Sequence, residues 1–164
     1  MDRDAVKYTA LGLGFIGTFI AIGLAVGLFL AGVSAYFRFL TPDSLVIPAL
    51  AVGAFGFGLV VWATVAFGVY GHGTPLPEVP PKHLVTRGPY RHIRNPIYLG
   101  WFLGWGGLGV STGNLAYSGL GLVLLVAGTA YAWIGERKDL AGKHGPEFET
   151  WRRDTPAYLP RFRR

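Results

Sequence analysis

Three stretches of this chain contain no Asp, Glu, Lys or Arg: Tyr8 to Phe37, Ser44 to Pro77, and Asn95 to Gly135. They are 30, 34 and 41 residues long. About 20 apolar residues suffice for a helix to cross the hydrocarbon core of a bilayer. Each of the first two stretches can therefore span once. One helix over the third would be about 60 Å long at about 1.5 Å per residue, too long for one crossing and suited to two. The expected fold is an all-α integral membrane protein with about four transmembrane helices. Charged residues make up 15% of the chain, against roughly 25% in soluble domains, and they are confined to the connections. The chain has no cysteine, which excludes disulfides, thiol nucleophiles and cysteine-bound metals.

Turn signals divide the chain further. The first apolar run exceeds the roughly 7–15 residues of a signal-peptide core and follows a segment, Met1 to Lys7, with no net positive charge. It is read as a retained span despite the small residues at Val33-Ser34-Ala35. Gly23 and Gly27 are four apart, as are Gly17 and Ala21, a spacing that lets helices approach closely. Among 25 glycines such pairs also arise by chance. Thr41-Pro42-Asp43 marks a turn, and a second span follows from about Leu45 to Tyr70 with Pro48 in its first turn. The run GHGTPLPEVPP from Gly71 to Pro81 is too rich in proline for a helix. Asn95 can cap a third span that starts at Pro96 and ends near Val110. Ser111 to Asn114 breaks it, and a fourth span follows from about Leu115 to Gly135. Glu136 to Ala141 continues that helix, and Gly142 to Gly145 ends it. Pro146 then opens a short helix to about Arg153, with Phe148 and Trp151 on one face, as in a helix lying on a membrane surface.

Formal net charge is +6, distributed by topology rather than as a nucleic-acid footprint. Gly71 to Arg94 holds four Lys/Arg against one Glu, and the tail from Glu136 holds eight against five acids. The other two connections carry Arg38 and no basic residue. The positive-inside rule puts the loop, the tail and both termini in the cytoplasm. The expected organisation is one membrane domain: two scaffold spans over 1–70, a cytosolic loop over 71–95, a helical hairpin over 96–135 and a cytosolic tail over 136–164.

The loop's last part, LVTRGPYRHIRNPIYLG from Leu84 to Gly100, is the most patterned stretch. Arg94 lies at the start of the third span and Glu136 at the end of the fourth, so an antiparallel hairpin makes them neighbours. Either they form a structural ion pair or they serve a ligand. Tyr90 and Tyr98 flank Arg94 and can anchor the interface or offer π faces to a cation. His92 is a proton carrier or a headgroup contact. His83 and His92 have no acidic residue at metal-ligand spacing, so no metal is expected. Gly104-x-Gly106-Gly107-x-Gly109 lies within an apolar span and reads as packing rather than a nucleotide loop.

LVTRGPYRHIRNPIYLG followed by ERKDLAGKHGPEFETWRRDTPAYLP resembles the C-terminal half of the isoprenylcysteine carboxyl methyltransferases. These share one integral-membrane superfamily with the phospholipid methyltransferases. The resemblance covers about Lys82 to Pro160. It implies S-adenosylmethionine as methyl donor, in a pocket closed by loop and tail and open to a lipophilic or lipid-like acceptor. It implies backbone contacts to the donor from His83, Leu84 and Val85, with Gly88 in the same motif. Side-chain contacts are implied from Tyr90, Asn95 and Tyr98. Glu136 would bind the polar end of the donor, and Arg94 would organise the pocket or the substrate. Two positions depart from the prenylcysteine enzymes. Asn95 stands where those enzymes have a histidine, and Ala132 where they have a substrate-binding arginine. The acceptor therefore stays open. An NADPH-dependent sterol-type membrane reductase and a non-enzymatic membrane scaffold are the alternatives.

Overall fold

The computed structural model describes residues 3–33, 37–76 and 78–159, the side chains of residues 33 and 135–139 excepted. These residues form α1 (Arg3–Val33), α2 (Asp43–Ala66), α3 (Pro96–Thr112), α4 (Leu115–Tyr131) and α5 (Arg137–Asp154). A π turn, Phe67–Gly71, ends α2, and a second, Ala132–Glu136, joins α4 to α5. No strand occurs among the described residues. A single antiparallel bridge pairs Arg38 with Asn114.

Among the described residues, three helical segments are long and apolar enough to cross a membrane: Arg3–Gly32, Asp43–Gly71 and Leu115–Ile134. The third expected span, α3, has 17 residues, or about 25 Å, short of the roughly 30 Å hydrocarbon core. Apolar side chains cover the outer surfaces of the long helices. Ile47 is 77% exposed, Leu28 67% and Val126 60%, as lipid-facing positions should be. Pro48 falls two residues deeper than expected, in the second turn, because α2 begins at Asp43 rather than Leu45. It thus removes the backbone donor that would have met the Ser44 carbonyl.

α2 and α3 pack antiparallel with almost nothing between them. A Cβ added to Gly56 would lie 2.7 Å from the Gly100 carbonyl oxygen, and one added to Gly107 would lie 2.5 Å from that of Ala49. Gly53 and Gly104 belong to the same seam. Lipid tails are as apolar as leucine, so hydrophobicity does not drive two helices together within a bilayer. Close backbone approach and dispersion do. The glycine cluster of α3, expected to be packing, supplies one side of this contact.

α1 crosses the other helices obliquely. Gly12 faces the Thr64 methyl on α2, Phe19 packs at a tilt against Trp101 of α3 with ring centroids 5.0 Å apart, and Gly23 receives the Trp105 indole. Gly27 receives the Tyr117 ring of α4. The glycine pair that chance could have explained is thus where two aromatic rings enter. The Tyr117 hydroxyl donates to the Leu24 carbonyl at 2.9 Å, and the Asn114 amide donates to the Gly27 carbonyl at 3.0 Å. Ile16, Val60, Trp101, Trp105 and Tyr117 form the core where the helices meet.

At the far end from the polar loop, the α1–α2 connection is tied to the α3–α4 turn. The Phe39 amide donates to the Gly113 carbonyl at 2.9 Å, and the Thr41 hydroxyl donates to the Val110 carbonyl at 2.5 Å. Gly113 ends α3 at φ 64°, a left-handed conformation that favours glycine. A side chain there would also run into the Phe39 carbonyl.

The α2–α3 seam makes a direct prediction. Gly56→Ala should lower stability by about 1–3 kcal/mol through overpacking. Gly58→Ala, whose new methyl meets open space, should be neutral. Thermal unfolding of the two variants in detergent separates these outcomes.

Candidate functional site

Backbone pairing brings the polar loop and the tail together. The amides of Arg94 and Asn95 donate to the carbonyls of Pro156 and Ala157 at 2.8 and 3.2 Å. The Trp151 indole N–H donates to the Tyr90 carbonyl at 3.1 Å. The hydroxyls of Tyr158 and Thr129 hydrogen-bond, so the extended end of the tail lies across α4. Phe148, 4% exposed, and Trp151 turn towards the protein. Trp151 packs on the cluster of Ala63, Ala66, Val85 and Tyr90. The face expected to lie on a membrane surface is thus used to hold loop and tail together. α5 runs past Gly142 and breaks only at Gly145, whose φ 50° and ψ −129° suit glycine.

Two cavities flank this junction. The larger, about 240 Å³, is walled by Tyr90, Arg94, Asn95 and Tyr98 from the loop and the start of α3, and by Tyr131, Leu140 and Lys143 opposite. Phe67 and the segment Thr74, Pro75, Leu76, Pro80 and Pro81 close its remaining side. The smaller, about 160 Å³, shares Arg94, Asn95 and Leu140. Its other walls come from Thr129, Ala132 and Trp133, and from Phe148, Trp151, Arg152, Ala157 and Tyr158 of the tail. The two together fall within the roughly 300–1,000 Å³ usual for a small-molecule site.

Local structure explains the walls. Buried Thr74 holds the proline-rich segment in a closed turn. Its amide and hydroxyl both donate to the Val79 carbonyl, at 2.8 and 3.1 Å, and its oxygen accepts from the Leu76 amide at 3.1 Å. The Tyr90 ring meets Phe67 edge-on at 5.0 Å. Tyr98 lies flat on Gly128 of α4, where any Cβ would displace its ring. Arg152 is paired with Glu149 at 3.2 Å.

Of the residues expected at the site, Tyr90, Arg94, Asn95 and Tyr98 are brought together in one lining. Val85 and Gly88 pack against α2 outside it, Val85 on Ala63 and Ala66, and Gly88 beside Trp62 at φ 61°. His83 is exposed, with its ring 5.8 Å from that of His72. Leu84 is half-buried and lines neither cavity. The Glu136 side chain, and with it the expected Arg94–Glu136 pairing, lies outside the described residues. The resemblance implied a pocket closed by loop and tail, but sequence reasoning did not single out Tyr131, Leu140 and Lys143, nor Thr74, Pro75, Leu76, Pro80 and Pro81 within the loop. The local signal for that part of the loop was its density of proline.

Residues 45–144 match the family described as phospholipid methyltransferase, and the chain belongs to that family. This is the superfamily indicated by the loop and tail motifs, and the chain is a membrane protein. Among curated proteins, it is 38% identical over 79 residues to the nickel-cobalt-cadmium resistance protein NccN of Alcaligenes xylosoxydans xylosoxydans, covering 48% of this chain and 37% of that protein. It is 40% identical over 79 residues to the cobalt-zinc-cadmium resistance protein CzcN of Cupriavidus metallidurans, covering 48% and 36%. It is also 29% identical over 84 residues to the methanethiol S-methyltransferase of Crocosphaera subtropica, covering 51% and 31%. The matches thus span about a third of the length of each curated relative.

Two asparagines precede helices and differ in what they do. Asn114 caps α4, accepting from the Ala116 amide at 2.9 Å. Asn95 occupies the equivalent position before α3 but makes no side-chain capping bond, and it lines both cavities. Asn114→Ala should therefore cost about 1–3 kcal/mol in thermal unfolding. Asn95→Ala should stay within about 0.5 kcal/mol of the parent.

Proposed function

We propose that the chain is an S-adenosylmethionine-dependent methyltransferase acting on a lipophilic acceptor at the membrane. The larger cavity would take the donor and the smaller the acceptor. The observation that carries this reading is a partition of the walls. Every residue lining the larger cavity, from Phe67 to Lys143, lies within the stretch that matches the family. The smaller cavity takes Phe148, Trp151, Arg152, Ala157 and Tyr158 from beyond that stretch. A part common to a family suits a shared donor, and a part outside it suits an acceptor particular to the chain.

The larger cavity's residues fit the donor chemically. Bound there, S-adenosylmethionine supplies an electrophilic methyl group on a sulfonium. The faces of Tyr90, Tyr98 and Tyr131 suit a sulfonium and an adenine ring. Lys143 suits a carboxylate, and the Asn95 amide both donates and accepts hydrogen bonds. Arg94, shared by both cavities, would organise the junction between them. Glu136 is proposed as a partner for the donor's positive end.

What these residues contribute to the reaction is orientation and exclusion of water. An in-line displacement depends mainly on positioning and fixed charge. A thiolate or carboxylate acceptor needs no general base. The aromatic walls of the smaller cavity, with Trp133 71% exposed on its flank, favour an apolar acceptor arriving from lipid. The relative named for methanethiol S-methylation supports a thiol among the candidates. The charge distribution supports a multi-pass protein with this site facing the cytoplasm. The family match favours this reading over the reductase and scaffold alternatives.

Titration calorimetry of the purified protein in detergent, with S-adenosylmethionine and S-adenosylhomocysteine, tests it. Both should bind, and Tyr98→Ala and Asn95→Ala should each weaken binding about tenfold, or about 1.4 kcal/mol. No binding by the parent would refute the donor, and parental affinity in both variants would refute the site.

A further inference from the structure

Away from both cavities, the polar ends of α1 and α2 carry a group of cations arranged on aromatic rings. The Lys7 ammonium sits 6.0 Å from the centroid of the Tyr8 ring, and the Lys82 ammonium sits 5.8 Å from the same centroid. Lys7 belongs to α1, while Lys82 comes from the polar loop, 75 positions later in the sequence. The Arg87 guanidinium lies 5.7 Å from the Tyr70 ring at the end of the π turn.

The fold holds this arrangement in place. The Lys82 amide donates to the Gly71 carbonyl at 2.7 Å, and the His83 amide donates to the same oxygen at 3.3 Å. Thr9, the residue after Tyr8, sits directly against Gly68, where a Cβ would come 2.8 Å from its backbone nitrogen. The start of α1 and the end of α2 are thus locked side by side.

Two like charges on one ring repel each other unless an anion joins them. Among the described residues, no acidic side chain lies within ion-pair distance of Lys7, Lys82 or Arg87. All three basic side chains are exposed, and Tyr8 is half-buried. Long lysine stems can swing their ammonium groups onto one phosphate while the ring stays as a platform.

Depth identifies the source of the phosphate. Tyr8 is the first residue of an uncharged run, and Tyr70 lies in the last turn of the α2 span. Deeper along the same helices, Leu11 and Phe15 on α1 and Val61 and Trp62 on α2 are exposed apolar side chains. Cations above an apolar flank match a molecule with an anionic head and hydrocarbon tails. A soluble phosphate would make no use of that flank.

We infer that Lys7 and Lys82, converging on Tyr8, form a binding site for the phosphate headgroup of an anionic phospholipid, which bridges the start of α1 to the polar loop. The site stands apart from the methyl-transfer reading and shares no residue with either cavity.

The test compares this chain in nanodiscs of phosphatidylcholine alone and of phosphatidylcholine doped with phosphatidylglycerol, with bound lipid counted by native mass spectrometry. The parent should retain phosphatidylglycerol preferentially. Lys7→Gln with Lys82→Gln should lower that preference about fivefold for each lysine, the equivalent of about 1 kcal/mol each. The charge-matched pair Arg38→Gln with Arg153→Gln, remote from Tyr8, should keep it. An unchanged melting temperature in phosphatidylcholine shows that each variant is folded. Equal loss in both pairs would mean net charge alone sets the preference, and would overturn the site. Parental preference in the lysine variant would overturn it too. Displacement of the lipid by millimolar glycerol phosphate would overturn the assignment to a lipid in favour of a soluble anion.

Discussion

The contact on which the structure depends is the one between the backbones of α2 and α3. Gly53 and Gly56 lie against the backbone of Gly100, Gly104 and Gly107, and the Val60 methyl and the Phe57 ring fill the space that side chains on Gly100 and Gly104 would take. In a bilayer, a pair of leucines across this seam would gain little over contact with lipid. Backbone atoms at van der Waals distance gain dispersion that lipid tails cannot match. The seam also sets the direction of α3, and therefore where Arg94, Asn95 and Tyr98 stand at its start. A helix too short to cross a bilayer by itself is held at its depth by a long one.

α4 packs on α3 in a similar way, with Gly121 against the backbone of Phe102 and Gly106, and Gly109 against that of Ser118. α1 is joined to α3 and α4 by a different kind of contact, aromatic rings lodged on its glycines, Trp105 on Gly23 and Tyr117 on Gly27. Side-chain hydrogen bonds then reach the backbone carbonyls of Leu24 and Gly27. At the polar end, the tail adds backbone bonds to Arg94 and Asn95 and an indole bond to Tyr90. The site is thus assembled from parts distant in sequence. Local bonds of Thr74 close the proline-rich wall, and Gly128 of α4 makes room for the Tyr98 ring. Preorganisation of this kind is what a positioning-dominated reaction requires.

One wall of the candidate site was legible because its residues are close in sequence. Tyr90, Arg94, Asn95 and Tyr98 fall within nine positions and share one wall, so a motif in the chain became a motif in space. The opposite wall was not legible. Tyr131, Leu140 and Lys143 lie a hairpin away, and nothing local marks them as facing Tyr98. Asn95 shows the limit more finely. Its place before Pro96 reads as a cap, yet its side chain forms no capping bond and lines the cavities instead. Phe148 and Trp151 show the same limit. Their spacing reads as an apolar helix face, but spacing alone does not say whether lipid or protein covers it.

The sequence by itself determined which segments leave water, where they break, and which end of the bundle is polar. These properties follow from transfer free energies that add up residue by residue along the chain. Only the tertiary structure decided which glycines are contacts, which aromatic face turns inward, and which residues of loop and tail line the cavities. Those outcomes depend on pairs of surfaces far apart in sequence, and close packing lets a given ring fit against one partner and not another. The pair Gly23 and Gly27 illustrates both halves. Their spacing was visible in the sequence, but that they receive Trp105 and Tyr117 emerged only from the crossing of α1 over α3 and α4.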